Sequence, residues 1–201
     1  MKAIFVVLGI LTATAAFTQE VEKHLAGART AYNTGNLEDA RFNLENALRE
    51  IDAAIGKEIL KALPATLAGL PANTQEDNVT GTTMTVVSGL YVHRTYGKPD
   101  GKNITLDIIS DSPLIGAVNA ILSMPFVMNT GDATQKVIKV QGYKTLLTKR
   151  TNENGQTSGY DVQIPFGNTL LTLYCNGITT EAEATQIANA IPLERIIKLA
   201  Q

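Results

Sequence analysis

The spacing of apolar residues changes once along this chain, and that change limits what each half can fold into. Between residues 20 and 63 the apolar side chains recur in steps of three and four, as in the series Ala40, Leu44, Ala47, Leu48, Ile51, Ile55 and Ile59. This is the period of a helix with one apolar face. From Met84 onward the period falls to two, which is typical of strands with one buried side. We therefore predict a helical hairpin followed by a sheet domain.

The break between the two helices is predicted at Tyr32–Asn36. Gly35 suits the left-handed residue that closes a helix, and Asn36 can cap the next one. The segment resembles a single tetratricopeptide unit in a set of matching positions: Ala28, Tyr32-Asn33-Thr34-Gly35-Asn36-Leu37-Glu38-Asp39-Ala40, Leu44, Ala47 and Leu48. The resemblance implies close approach of the helices at the alanines. A generic αα-hairpin is the alternative. A single repeat cannot bury its own apolar faces, so residues 20–63 are expected to dock on the rest of the chain or on another protein.

Residues 64–83 are predicted to be a linker. Pro64 and Pro71 end the helical pattern because proline lacks the N–H that a helix requires. Asn73–Thr83 is polar and has no period. The sheet domain is predicted over 84–201, with about six antiparallel strands. Helices are expected to begin at Ser112-Pro113, capped by Asp111 or Ser112, and at Glu181, capped by Thr179 or Thr180. The fold class is α+β.

This half is similar to exported bacterial proteins with a PsbP-like α/β sandwich. The likeness rests on Leu63-Pro-x-x-Leu67-x-Gly69, Val92-His93-Arg94-Thr95-Tyr96, Ile108-Ile109-Ser110-Asp111-Ser112-Pro113-Leu114 and a strand reversal at Gly142. It implies a fold and no reaction.

Residues 1–16 have the features of a secretory signal peptide. Lys2 precedes the apolar run Ala3–Leu11, and Thr12–Ala16 supplies the small residues that a signal peptidase accepts. The run is too short to span a bilayer core of about 30 Å. We expect cleavage near Ala16 and a periplasmic or secreted protein; a retained N-terminal anchor is the alternative.

Charge and composition exclude some classes of function. The formal net charge is −2 and no block of like charge occurs, so neither a nucleic-acid surface nor an anionic-membrane surface is predicted. Cys175 is the single cysteine, which excludes an intrachain disulfide, and we expect it to be a buried small hydrophobe. The two histidines fall in different halves and no metal-ligand spacing is present, so no metal and no cofactor are predicted.

Candidate site residues are few. A base could be built from His93 with Asp107 or Asp111, although no Gly-x-Ser-x-Gly elbow is present. On the opposite side of the same strand, Arg94 and Tyr96 could form a polar patch. Met124, Phe126 and Met128 could line a groove for a peptide or an acyl chain, or else belong to the core.

The sequence therefore favours an exported, non-catalytic envelope protein that binds a protein or a ligand. The alternative is a hydrolase-type enzyme using His93 and a nearby carboxylate. The two are distinguished by whether His93 lines a concave pocket with a carboxylate within hydrogen-bond reach.

Overall fold

The computed structural model describes residues 11–81, 89–124 and 134–201. The chain divides into two compact units, Met1–Ala54 and Ile55–Gln201. The first consists of helix α1 (Leu11–Asn33) and most of helix α2 (Leu37–Ala62), and the unit boundary falls within α2. The α+β class is confirmed.

The turn between α1 and α2 forms as predicted. Gly35 has φ of +79°. The Asn36 side chain accepts a hydrogen bond from the Asp39 backbone N–H at 3.2 Å, which caps α2. Ala28, Ala40 and Ala47 are buried. A Cβ at Gly27 of α1 would lie 2.7 Å from Oδ1 of Asn43 in α2, so the two helices approach each other closely at this glycine.

In the residues that the structure describes, the second unit is built on a seven-stranded antiparallel sheet. Its strands, in chain order, are β3 (Asn78–Gly81), β4 (Leu90–Gly97), β5 (Asn103–Ser110), β6 (Gln135–Val140), β7 (Tyr143–Thr151), β8 (Thr157–Phe166) and β9 (Thr169–Asn176). Their order across the sheet is β3-β4-β5-β9-β8-β7-β6. The last strand in the sequence therefore lies at the centre, paired with β5 on one side and β8 on the other.

Three short strands lie inside the segment predicted as a linker. Strands β1 (Thr66–Leu67) and β2 (Leu70–Pro71) pair with each other, and β3 pairs with β4. These strands have two to four residues, too few for an alternation of polar and apolar side chains to register in the sequence. Within the described ranges the sheet therefore has seven strands, against the predicted six or so.

One face of the sheet is the main core. It packs against the end of α2, helix α4 (Glu181–Asn189) and helix α5 (Leu193–Ala200). Fully buried members include Ile59, Leu106, Val162, Leu173 and Ile196. Cys175 is also fully buried here, and burial raises the pKa of its thiol to about 12, so it behaves as the predicted small hydrophobe.

Gly56 allows α2 to approach this sheet closely. A Cβ at this position would lie 2.4 Å from Cγ1 of Val79 in β3 and 3.2 Å from Cγ2 of Val92 in β4. Any larger residue at position 56 would overlap with strand β3. Glycine has a low helix propensity, but at position 56 its missing side chain is what permits the contact between α2 and the sheet.

Two helix starts can be compared with their predictions. Thr180 caps α4 by accepting a hydrogen bond from the Glu183 N–H at 3.3 Å, as predicted. Helix α3 (Ile115–Leu122) begins two residues after Pro113, the expected first position, and no side chain caps it. The Ser112 Oγ instead accepts from the Leu114 N–H at 3.4 Å, within the turn before the helix.

Candidate functional site

The second face of the sheet carries polar and aromatic side chains across its middle strands. Because strand residues alternate between faces, the residues next to the core positions all point to this side. Those in the central rows are Tyr91, His93 and Thr95 of β4, Thr105 and Asp107 of β5, Thr172 and Tyr174 of β9, and Asp161 and Gln163 of β8. We call this set the polar face. Helix α3 covers one end of the same side, where Val118 and Leu122 pack on Leu146 and Leu170.

His93 and Asp107 form the centre of the polar face. They are directly opposite each other in the antiparallel pair β4–β5. The Nδ1 atom of His93 lies 2.7 Å from Oδ1 of Asp107. Their side chains are 25% and 17% exposed, so both are accessible while being largely shielded from water. A carboxylate only accepts hydrogen bonds, so Nδ1 must carry the proton, and in the neutral ring Nε2 is then an acceptor.

Tyr91 completes this cluster. Its hydroxyl donates to the same Oδ1 of Asp107 at 3.3 Å. Its ring stacks beside the His93 ring, with centroids 6.3 Å apart and planes at 27°. Burial, followed by the charge of Asp107 and the hydrogen bond to it, raises the pKa of Tyr91 to about 12. The phenol therefore stays protonated and holds the carboxylate in place.

A second polar cluster lies two strands away. Nε of Arg150 lies 2.8 Å from Oδ1 of Asp161. The Arg150 guanidinium also donates to Oδ1 of Asn176 at 2.6 Å. Burial raises the pKa of Asp161, and Arg150 offsets part of that rise. Tyr174 lies between the two clusters, and its pKa is raised by burial first and then by Asp107 and Asp161.

Arg94 and Tyr96 lie on the core face, away from the polar face. Arg94 donates to both carboxylate oxygens of Asp77 and, at 2.9 Å, to the Leu60 carbonyl near the end of α2. Its side chain is 7% exposed, and Tyr96 is fully buried. The structure does not bring these two residues to the surface patch suggested by the sequence; Arg94 instead ties α2 to the sheet.

Asp111 is separate from the His93 cluster. It follows β5 with a left-handed φ of +52°. Its Oδ1 accepts a hydrogen bond from the Asn168 side chain at 2.7 Å, and its backbone N–H donates to the Asn168 carbonyl at 2.8 Å. These contacts of Asp111 join two loops. The carboxylate that contacts His93 is therefore Asp107 and not Asp111. The described residues contain no group of three or more His, Cys, Asp and Glu side chains placed to hold a metal ion.

Of the three residues proposed for an apolar groove, Met124 lies just after α3 and is half exposed. Phe126 and Met128 lie outside the described residues. The groove therefore remains a prediction from the sequence.

The helical unit exposes several large apolar side chains. On α2 these include Leu37, at 64% exposure, and Leu48, at 61%, with Leu44 and Ile51 on the same side of the helix. The apolar stripe read from the sequence is present. Of the members of this stripe, Ala40, Ala47 and Ile59 are buried, whereas Leu44, Leu48 and Ile51 are exposed.

Comparison with protein-family models, with curated proteins and with solved structures finds no match to this chain. The likenesses to tetratricopeptide units and to PsbP-like proteins thus remain predictions. In the described part of the chain, no helix is both long and apolar enough to cross a bilayer.

Sequence reasoning named His93 and Asp107 but missed Tyr91, Tyr174 and the Arg150–Asp161 pair. A signal for Tyr91 was present, since it is two residues before His93 on the same strand and therefore shares its face. Tyr174 and Asp161 reach the site through β9 and β8, whose place beside β5 the sequence does not state.

Proposed function

We propose that this chain is an exported, non-catalytic protein of the bacterial envelope, periplasmic or secreted, whose sheet domain binds a ligand on the polar face. The proposal rests on one observation. The cluster of Tyr91, His93 and Asp107 is partly exposed and tightly hydrogen-bonded, on a sheet face that is not the main core. The pKa of Tyr91 is raised to about 12, and titratable groups with perturbed pKa values are more frequent at functional sites than elsewhere.

The hydrogen bonding of His93 favours binding over catalysis. Its bond is to Asp107, and among the described residues no serine, threonine or cysteine forms a hydrogen bond with it. The buried Cys175 thiol has a pKa of about 12 and lies on the other face, so it is no nucleophile for this base. With no protein nucleophile beside it, His93 could catalyse hydrolysis only by activating a water molecule, and no covalent intermediate could form through a neighbouring side chain.

The test is a ligand screen by NMR on the ¹⁵N-labelled protein recovered from the envelope of an expressing bacterium. The panel contains a neutral sugar, a nucleotide, an organic acid, amino-acid amides and a fatty acid. We expect at least one class to shift amide signals along β4, β5 and β9, and His93→Ala and Asp107→Ala to remove the response. Asp111→Asn is the matched control and should keep the response, since asparagine tolerates the left-handed φ of this position. Shifts confined to other elements, or none with any class, would refute a site on the polar face.

Export is tested on the same material. N-terminal sequencing should begin near Phe17 if the signal peptide is cleaved after Ala16. A chain that stays in the cell interior with Met1 in place would refute this part of the proposal.

We also propose that the helical unit docks on an envelope protein through the apolar side of α2. The support is the row of exposed leucines, because contiguous apolar surface on a helix is typical of an interaction site. Leu48→Glu should abolish cross-linking to the partner in whole cells. Glu50→Gln, about 200° round the helix, should leave cross-linking intact. Equal cross-linking by both variants would contradict this interface.

The second candidate is a hydrolase, favoured by the 2.7 Å contact between Nδ1 of His93 and Asp107. A carboxylate in this place orients an imidazole so that Nε2 can act as a base. The candidate predicts that His93→Ala abolishes an activity in an ester and amide panel while the thermal midpoint stays nearly unchanged. A wild-type protein inert across that panel rules it out.

A further inference from the structure

The distribution of hydrogen bonds at Asp107 leaves an acceptor available. Both Tyr91 and His93 bond to Oδ1. Among the described residues, Oδ2 receives no hydrogen bond, and it is not among the fully enclosed atoms that lack a partner. A half-satisfied carboxylate with one oxygen still reachable from solvent can accept a bond from a ligand.

The neighbours of that oxygen offer acceptors as well. Since Nδ1 of His93 donates to Asp107, Nε2 of the neutral ring presents a lone pair. The Tyr91 hydroxyl donates its proton to Asp107, so the hydroxyl oxygen can form a further hydrogen bond only as an acceptor. The Asp107 carboxylate, Nε2 of His93 and the Tyr91 hydroxyl oxygen are therefore three adjacent hydrogen-bond acceptors. A ligand with several N–H groups and no acceptor satisfies all of them.

The charges in this region favour a cation. Arg150 is paired with Asp161, and among the described residues no lysine or arginine forms an ion pair with Asp107. A further carboxylate, Glu76, accepts a hydrogen bond at 2.6 Å from Thr95, the next residue along the polar face of β4. The raised pKa values of Tyr91 and Tyr174 fit a negative field, since Asp107 contributes to both.

The aromatic rings provide the remaining element. Tyr91 and His93 present two rings side by side. Tyr174 is two residues from Thr172, which faces Asp107 across β5 and β9, so it is a diagonal neighbour of the carboxylate. Carboxylate and aromatic faces together bind organic cations, because the ring quadrupole adds to the charge attraction.

We infer that the polar face binds a ligand that carries a guanidinium or primary ammonium group, held by Asp107 and the rings of Tyr91 and His93. The inference rests on the proposed function and names its ligand class. A metal ion fits less well, because the described residues bring together no three metal-binding side chains here.

The experiment compares two probes of nearly the same shape, of which only one is charged and carries the full set of guanidinium donors. N-acetyl-argininamide has a guanidinium, and N-acetyl-citrullinamide has a neutral urea of the same shape. Each is titrated into the ¹⁵N-labelled protein, followed by amide shifts along β4, β5 and β9. N-acetyl-lysinamide serves as the ammonium probe.

We expect the arginine probe to bind at least five-fold more tightly than the citrulline probe and to weaken as salt is raised, by screening of the charge attraction. Asp107→Asn should weaken it by about tenfold, the effect of losing one charge-assisted hydrogen bond. Asp111→Asn should leave it unchanged, since asparagine tolerates the left-handed conformation at that position.

Equal affinity for the two probes, or an Asp107→Asn variant that binds as well as the parent, would overturn the inference. If cations give no shift while a neutral or anionic compound of the panel shifts the same strands, the cation class is wrong and the proposed site stands. If no compound shifts these strands, both fail.

Discussion

The contact between Arg94 and Asp77 offers the sharpest test of how the sheet domain is held together. The Arg94 side chain is 7% exposed and that of Asp77 is 15% exposed. Asp77→Ala would leave the guanidinium with one acceptor, the Leu60 carbonyl. Removing one partner of a buried ion pair costs roughly 3–5 kcal/mol. Because Asp77 keeps some contact with water, we expect the lower end, about 3 kcal/mol.

The measurement is urea unfolding followed by circular dichroism at 222 nm. The matched control is Glu58→Ala, which removes an exposed ion pair with Lys61 within helix α2. It should change the free energy of unfolding by less than about 0.5 kcal/mol. Replacing Arg94 and Asp77 together by leucine should cost less than the sum of the two single replacements, with a coupling of about 2 kcal/mol.

A cost below about 1 kcal/mol for Asp77→Ala would refute this reasoning, since that is the range of exposed pairs. A second readout concerns function. Arg94 faces the core, so the folded Asp77→Ala protein should bind ligand on the polar face as the parent does. If the folded Asp77→Ala protein no longer bound the ligand, Arg94 would have to be counted as a binding residue, as the sequence suggested.

Three further predictions concern other positions. Gly56→Ala should destabilise the protein by about 1 kcal/mol or more, because overlap with Val79 exceeds the gain in helix propensity, and Val79→Ala in the same chain should recover part of the loss in urea unfolding. Tyr91 should titrate near pH 12 by absorbance at 295 nm, taken as the difference from Tyr91→Phe, and Asp107→Asn should lower that pKa because two of its causes are removed. Since the folded state favours the protonated phenol, the stabilising contribution of Tyr91 is complete below pH 10 and is lost as the pH rises from 10 to 12; a stability that is flat across this window would contradict the assignment. Thr180→Ala should cost about 1 kcal/mol through the lost cap of α4, and Thr180→Ser should keep it.

The fold class could be predicted because long periodic segments state their secondary structure. The α2 stripe and the strands from β4 to β9 were visible as periods, and Gly35, Asn36 and Thr180 marked ends that the structure confirms. Strand β3 could not be found, because four residues carry no period and its pairing with β4 is a long-range contact.

The His93–Asp107 contact depends on the strand register, which a difference of one residue in loop length would change. A turn of Lys98–Gly101 alone would place His93 opposite Leu106. The structure pairs Gly97 with Asn103, so Lys102 also belongs to the loop and His93 meets Asp107. A shift of one residue moves every side chain of a strand to the other face. The residues were therefore identifiable from the sequence, whereas their contact depended on loop length.

The central position of β9 has a consequence for folding during synthesis. Strands β4 and β5 make one hairpin, β6 to β8 make another block, and residues 169–176 are the piece that joins them. A nascent polypeptide that has not yet delivered those residues holds two separate sheet fragments with unsatisfied edges. The sheet therefore cannot be completed until residues 169–176 have been synthesised, and a stop codon ahead of Thr169 should yield a product that chaperones retain and proteases remove.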